Sequence, residues 1–540
     1  MIRFLKNLNN DPNQGINLSI LLLLGLLLAP LAIDDAKYIL VALFLSAYFI
    51  WQKIGSSEIL NIRWSYINYL LAFSLVALIS VLWADDASQA LRHGFLWVVY
   101  TLIACMIAMQ STSNDRFERQ VAKLFSIFFV ILLLLHLGAL QFDISLDRSW
   151  NNFLSKGKNY TTTLLTVLVP FLLFYPSRSQ FVRFSKIISI ILLANILFLT
   201  GARGALLAFA FIVVIKLWNF YAHSRWRVLG GISGLAVIIA GIYLLNTSEA
   251  TTDFTFVNEY RQELASRIRM NKNSMKSIRQ HPFIGVGAGH WARDIYQHGI
   301  GDVAPLNNAR KITRLHSHNA YFKIAVEYGL FGWLLFFTPL LLLLLYYRDS
   351  WTEIDGIKKA AWVSLVAWLI VMFFYATAVP YSYFFSGIAL VGMVSAGLLL
   401  PQSEGGGKRY VMILIILSLL CALWFSFTKV CHATYQKANR TYKKGQLVEA
   451  QRMYDKLYHP IFFASADYQQ SVDLRMAEFA IEQEDFLAAK NYFERGLKKM
   501  PNSTELMYRY LTFLEEHEKE STVIDALRAK LKVIQPNLVD

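Results

Sequence analysis

The 540-residue chain is 56% apolar, 14% aromatic and only 16% charged, too apolar for a soluble protein of this length, so it reads as an all-α polytopic membrane protein. Its net charge of +15 would suggest nucleic acid in a soluble chain. Here the basic residues sit in short loops between apolar runs, and a nucleic-acid partner is excluded. Cys105, Cys421 and Cys431 have neither CxxC nor metal-ligand spacing and are expected to pack as small apolar residues.

In chain order, about thirteen apolar runs are long enough to cross a hydrocarbon core of roughly 30 Å as helices. They cover 17–33, 37–52, 65–83, 93–110, 121–141, 160–176, 185–201, 203–219, 228–245, 319–347, 359–376, 380–400 and 410–429. The first is long and has no small-residue cleavage site after it, so it is expected to be a span and not a cleaved signal. Alternate loops carry Arg3 and Lys6, Lys53 and Arg63, Arg116, Arg119 and Lys123, Arg178, Arg183 and Lys186, and further on Arg348, Lys358, Lys359, Lys408 and Arg409. The intervening short loops carry few cations and include Asp34-Asp35 and Asp85-Asp86. This positive-inside pattern sets the N-terminus in the cytoplasm and predicts that the long polar segment 246–317 and the C-terminal tail lie on the outer side of the membrane.

Within the long loop, Glu259 to Gln280 contains no Gly or Pro and spaces Leu264, Ile268, Met275 and Ile278 as the apolar face of a helix. His281-Pro282 stops it, and Gly285-Val286-Gly287-Ala288-Gly289 supplies a turn where backbone can approach a ligand closely. After residue 429 the composition becomes soluble and mixed in charge, so 1–429 and 430–540 read as two domains. In the second, Ala438, Gly445, Ala450, Tyr454 and Pro460 are echoed by Ala477, Glu484, Ala489, Phe493 and Pro501. That is the mark of paired antiparallel helices of tetratricopeptide type, either a stabilising cap or a binding surface.

The candidates for chemistry gather on the outer side. Arg203 lies between two spans in Thr200-Gly201-Ala202-Arg203-Gly204, where an arginine either snorkels or meets an anion beside exposed backbone N–H groups. A helix beginning at Gly204 would add its positive dipole end. Arg267 and Arg269 are two residues apart on the loop helix and face different directions, so at most one faces a site. Arg92, Arg148, Lys156 and Lys158 are further outer cations, each an interfacial anchor or a ligand. His316 and His318, the latter followed by Asn319, flank the start of the next span; each is a candidate general base or an interfacial histidine. No metal-ligand set is expected around them.

Three segments, in order and at the expected intervals, resemble the superfamily of O-antigen ligases, O-antigen polymerases and protein O-oligosaccharyltransferases. They are Leu199 to Leu206; Arg267 followed by His281-Pro282-Phe283-Ile284-Gly285-Val286-Gly287; and His318-Asn319-Ala320-Tyr321 leading to Glu327-Tyr328-Gly329-Leu330-Phe331-Gly332. Leu82-Trp83-Ala84-Asp85-Asp86 and Gly157-Lys158-Asn159-Tyr160 are weaker echoes. Ala202 stands where Ser often precedes the arginine, and Asn271 where an aromatic is common.

The resemblance implies transfer of a glycan from an undecaprenyl diphosphate carrier to an acceptor hydroxyl, with inversion and with neither cofactor nor metal. It implies Arg203, Arg267 and His318 as the catalytic set, and Arg92, Lys158, Arg269, His316 and Asn319 are the expected substrate contacts. Lipid A core is the leading acceptor; a pilin-like Ser or Thr, or a second carrier-linked repeat, is the alternative. A transporter or flippase is the non-enzymatic alternative, disfavoured because the cations collect at one face and, apart from His136, almost no ionisable residue falls near the middle of a span.

Overall fold

The computed structural model describes residues 36–55, 64–85, 87–113, 115–141, 158–176, 179–220, 254–297, 317–375, 386–401, 408–457, 466–499, 503–517 and 521–534. Among them all regular structure is helical. The membrane part comprises α1 (Ala36–Gly55), α2 (Trp64–Ile79), α3 (Ala87–Ser113), α4 (Asp115–Gln141), α5 (Lys158–Phe174), α6 (Gln180–Thr200) and α7 (Arg203–Phe220). It continues through α8 (Phe254–Gln280), α9 (Trp291–Gln297), α10 (Ala320–Asp349), α11 (Gly356–Met372), α12 (Gly387–Leu398) and α13 (Lys408–Lys443). Eleven of the expected spans coincide with these helices; 17–33 and 228–245 lie outside the described residues. Helices α2, α3, α4, α6, α10 and α13 are long and apolar enough to cross a membrane, and α1, α5 and α12 carry shorter apolar stretches.

Sequence dictates which helix is central. The α3 run from Leu96 to Met109 is apolar on every side apart from Thr101, and 94% of its span is buried against 22% of that of α6. Around α3 an aromatic nucleus of Phe73, Trp97, Tyr328 and Phe336 packs edge to face, and the Trp97 indole donates to the Tyr328 hydroxyl at 2.9 Å. The three cysteines are buried, as their isolation in sequence implied.

Helix ends sort by charge. At one end of the bundle Lys358, opening α11, pairs with Glu118 on α4 at 2.6 Å and caps the last carbonyls of α12 through Leu398. Beside it Lys216 and Lys186 donate to the carbonyls of Leu173 and Tyr175 at the end of α5. These lysines satisfy carbonyls that a helix C-terminus leaves unpaired. Because α7 ends at this basic face, Arg203 at its start lies at the opposite end of the bundle.

Helix α13 runs without a break from the bundle into the tail. It contributes Cys421 and Phe425 to the membrane core and Cys431 and Ala438 to a second core, so the expected 429/430 boundary falls inside one 36-residue helix. Helices α14 (Leu447–Leu457), α15 (Ala466–Glu482), α16 (Phe486–Lys499), α17 (Thr504–His517) and α18 (Ser521–Ile534) complete the tail. Of the paired positions of the internal echo, Ala438, Ala450 and Tyr454 are buried, as are Ala477, Ala489 and Phe493, whereas Pro460 and Pro501 lie outside the described residues. Both turns use one left-handed residue at the same place, Gly445 (φ 76°) and Glu484 (φ 59°).

Candidate functional site

The glycine-rich loop after α8 docks on a break in α10. Gly329 adopts φ 65° and ψ −176°, splitting what the sequence presents as one apolar helix. The exposed backbone pairs with the loop: Val286 N–H and Gly287 N–H donate to the carbonyls of Val326 and Glu327, both at 2.9 Å. Leu330 N–H and Phe331 N–H donate back to Pro282 and Phe283 at 2.8 and 3.3 Å. A Cβ on Gly329 would lie 2.2 Å from the Phe283 backbone, and one on Gly285 2.4 Å from the Val326 carbonyl. The expectation that this turn approaches a ligand is corrected: its glycines permit close approach to the protein's own backbone. The weaker echo at Leu82-Trp83-Ala84-Asp85-Asp86 meets it from another side, since Gly287 packs on Ala84 and Ser80 Oγ just before it accepts from Ala288 N–H at 3.0 Å.

Beneath the loop lies a buried polar network. The Glu327 carboxylate receives the backbone N–H groups of Gly289 and Trp291 and the Tyr328 hydroxyl, and Lys323 stands one turn away at 4.0 Å. His93, buried on α3, faces Lys323, Arg92 and His290. The Trp291 indole donates to Ser274 on α8 at 3.0 Å, so Glu327 on α10 is tied through Trp291 to the helix that carries Arg267. Arg92, an expected substrate contact, is half-buried and within electrostatic reach of His93.

Helix α8 turns its small and polar face inward. Met270, Asn273, Ser274 and Ser277 are buried, whereas Ile268 is 59% and Met275 39% exposed. The face expected from apolar spacing is therefore met only in part: Ile278 packs against the cluster of Met270 and Trp291, Ile268 and Met275 are exposed, and the side chain of Leu264 lies outside the described residues. Arg267 shares the inward face and is half-buried, while Arg269 is exposed on the outer side, so the structure brings Arg267 and not Arg269 toward the bundle.

There it meets the start of α7. Gly201 takes φ 63°, letting the chain reverse between α6 and α7. The Ala202 carbonyl accepts the first helical bond, from Leu206 N–H at 2.9 Å, which makes Ala202 the residue capping α7, and its side chain has no acceptor to offer. Gly204 packs directly under Phe374, where a Cβ would lie 2.5 Å from the ring carbon chain. The next residue, Tyr375, sets its hydroxyl against the backbone N–H groups of Gly204 and Ala205, with Arg203 and Arg267 both within electrostatic reach. Two guanidinium groups and a helix N-terminus thus lie within electrostatic reach of one phenol, and such groups together suit an anion with several oxygens.

The start of α10 reaches the same end of α11. Tyr321 donates to the Leu369 carbonyl at 2.9 Å and its ring lies 6.3 Å from Phe373, which places His318, one turn earlier and half-buried, on the Tyr375 side of the bundle. Asn319 is buried and its side-chain oxygen accepts from Tyr321 N–H at 2.9 Å and Phe322 N–H at 3.2 Å. This is helix capping, so its expected substrate contact is replaced by a structural role for that oxygen. Lys158 opens α5, but its side chain, like the whole of His316, lies outside the described residues.

Sequence reasoning passed over Tyr375, Glu327 and Lys323. For the last two the signal existed: a Lys and a Glu four residues apart inside an apolar run. Tyr375 had none, since only the tertiary fold sets it against α7.

Residues 188–337 match a family model described as O-Antigen ligase. The matched stretch runs from α6 through Arg203, Arg267 and His318 into α10, and supports a glycan-transfer function of the O-antigen ligase and polymerase class. No curated protein matches the chain.

Proposed function

We propose that this chain is a metal-independent, inverting glycosyltransferase of the bacterial inner membrane, taking its glycan from undecaprenyl diphosphate on the periplasmic face and ligating it to lipid A core. The observation that carries the proposal is the family match over residues 188–337, which takes in Arg203, Arg267 and His318, with both arginines within electrostatic reach of Tyr375 beside the N-terminus of α7. In the proposed reaction the acceptor hydroxyl attacks the anomeric carbon, the C1–O bond to phosphate breaks, and its electron pair leaves with the lipid diphosphate. Bidentate guanidinium contacts stabilise that growing charge. His318 takes the proton from the attacking hydroxyl, which raises its nucleophilicity in the transition state.

The periplasmic assignment rests on the clustering of basic residues at the end of the bundle opposite Arg203. A second reading, transfer to Ser or Thr of a protein, draws support from the tail. Its paired helices, of tetratricopeptide type in this reading, are joined to the bundle by one continuous helix and would present a peptide acceptor at a fixed height.

The test is His318→Ala and Arg203→Ala in cells that make a polymeric surface glycan. Loss of long-chain lipopolysaccharide, with polymer accumulating on the carrier and normal amounts of folded protein, is the expected result. Retained ligation in both variants refutes the site. Single-repeat lipopolysaccharide identifies a polymerase instead, and an unmodified pilin with normal lipopolysaccharide identifies protein transfer.

A further inference from the structure

We infer that the second half of α8 and the loop that follows it form a membrane-seated element: Phe283 and Ile284 lie among the acyl chains of the adjacent leaflet, and the cationic outer face of α8 meets anionic lipid headgroups. The depth of the loop follows from α10. At the far end of that helix the Trp362 indole donates to the Leu344 carbonyl at 2.9 Å and the Trp351 and Trp362 rings meet edge to face, so α10 ends at the basic face where α11 begins. From Asp349 back to Leu330 the helix is about 30 Å long, the thickness of a hydrocarbon core. Leu330 and Phe331 therefore stand at the opposite boundary of that core. Phe283 and Ile284 are fixed beside them, because Leu330 N–H and Phe331 N–H donate to the Pro282 and Phe283 carbonyls.

At that boundary the loop extends a face made for lipid. Leu330, Phe331, Leu334, Leu341, Leu342 and Leu345 are exposed and fall on one side of α10 by its period. On a helix long and apolar enough to cross a membrane, such a stripe faces acyl chains. Phe283, 73% exposed, and Ile284, 50% exposed, continue the stripe at its end. A contiguous apolar patch of this kind is unfavourable in water, and its continuity with α10 assigns it to the same lipid. Just before it, α8 turns Arg269, Lys272, Lys276 and Arg279 outward, all exposed, and the sequence from Leu264 to Gln280 holds no Asp or Glu. Ile268 and Met275 are exposed along one edge of the same face. Clustered cations beside apolar anchors are the pattern of an element lying on an anionic bilayer surface. The inward face of the helix carries Ser274, bonded to Trp291, and the half-buried Arg267. The bilayer thus holds α8 from one side and the docked loop from the other.

The competing role is an ordinary solvated face, and the two separate in full-length protein reconstituted into phosphatidylcholine vesicles with and without phosphatidylglycerol. The native cysteines are buried, so a single cysteine placed on the surface takes the label. A nitroxide at Phe283→Cys or at Ile284→Cys is expected to show the high oxygen and low nickel-chelate accessibility of one at Leu334→Cys, and the reverse of one at Glu484→Cys in the tail. Chelate accessibility like that of Glu484→Cys places the loop in water, and low accessibility to both reagents means that protein covers it; either result overturns the insertion. For the cationic face, a fluorophore at Met275→Cys is expected to be quenched by headgroup-labelled nitroxide lipid more strongly with phosphatidylglycerol present than without it. Lys272→Gln, Lys276→Gln and Arg279→Gln together are expected to abolish that difference. Equal quenching in the two compositions, or a difference that survives the triple substitution, overturns the headgroup contact. Neither readout involves glycan transfer, so failure of the membrane contact leaves the proposed reaction standing.

Discussion

Replacing Gly329 with Ala tests whether the loop must be docked for the site to exist. Its backbone, at φ 65° and ψ −176°, lies in a region open essentially only to glycine, so a side chain there costs about 1–3 kcal/mol before any contact is counted. The new Cβ would also sit 2.2 Å from the Phe283 carbonyl carbon and oxygen, atoms of a backbone with no rotamer to change. Relief requires the loop to lift, which breaks the four backbone bonds between 282–287 and 326–331, each worth about 1 kcal/mol net. Strain and lost bonds together come to about 5–7 kcal/mol, enough to undock the loop in most molecules. Lifting the loop also withdraws Trp291 from Ser274, and with it the hold on α8 and Arg267. Gly329→Ala should abolish glycan transfer while leaving the bundle folded, and limited proteolysis should cut between 281 and 291 where wild type resists. A variant that transfers normally and resists cleavage would show that the docked loop does not position the site.

Three further outcomes follow from local geometry. Asn319→Asp keeps the oxygen that caps α10 and should transfer like wild type, whereas Asn319→Ala should lose about 1 kcal/mol of stability; loss of transfer in the Asp variant, at unchanged melting temperature, would instead restore Asn319 as a substrate contact. Glu484 is the one non-glycine residue among those described with a left-handed backbone, and its side chain is exposed, so Glu484→Gly should raise tail stability by about 1 kcal/mol in chemical denaturation. No gain there would mean the turn relaxes at little cost. Glu118→Ala leaves Lys358 beside Ser111 without its carboxylate and should destabilise the bundle by about 3–5 kcal/mol, while Glu118→Ala with Lys358→Met should recover most of that. Equal melting temperatures for the single and double variants would deny the pair its role.

Helix positions and the Arg203 turn were legible because each is a local property. Apolar run length sets the spans, and the glycines of Gly201-Ala202-Arg203-Gly204 mark a reversal whatever surrounds it. The choice between Arg267 and Arg269 was not legible, because it depends on which face of α8 meets the protein. The rule that apolar residues turn inward held for Ile278 but failed for Ile268 and Met275, which are exposed while Ser274 and Ser277 are buried. The glycines of 285–289 were correctly read as sites of close approach, but sequence could not name the approaching backbone. The break at Gly329 was hidden for a related reason: a single glycine in an apolar run is compatible with continuous helix, and only the pairing of residues 282–287 stabilises the break.

These distinctions divide the motifs of the chain into two kinds. Phe283, Gly285, Gly287, Gly289, Glu327 and Gly329 hold the loop, and no guanidinium or imidazole of the proposed reaction is among them. In the proposed reaction Arg203, Arg267 and His318 supply the chemistry, each from a different helix or helix start. A loop that both held itself and reacted would couple every substitution for acceptor preference to the loss of its own docking. Here the fastening lies on α10 and α3, and the proposed anion site lies on α7 and α8. The surface that meets the acceptor can therefore vary while the diphosphate end stays fixed, which is the separation required of an enzyme whose donor carries a constant lipid diphosphate and a variable glycan.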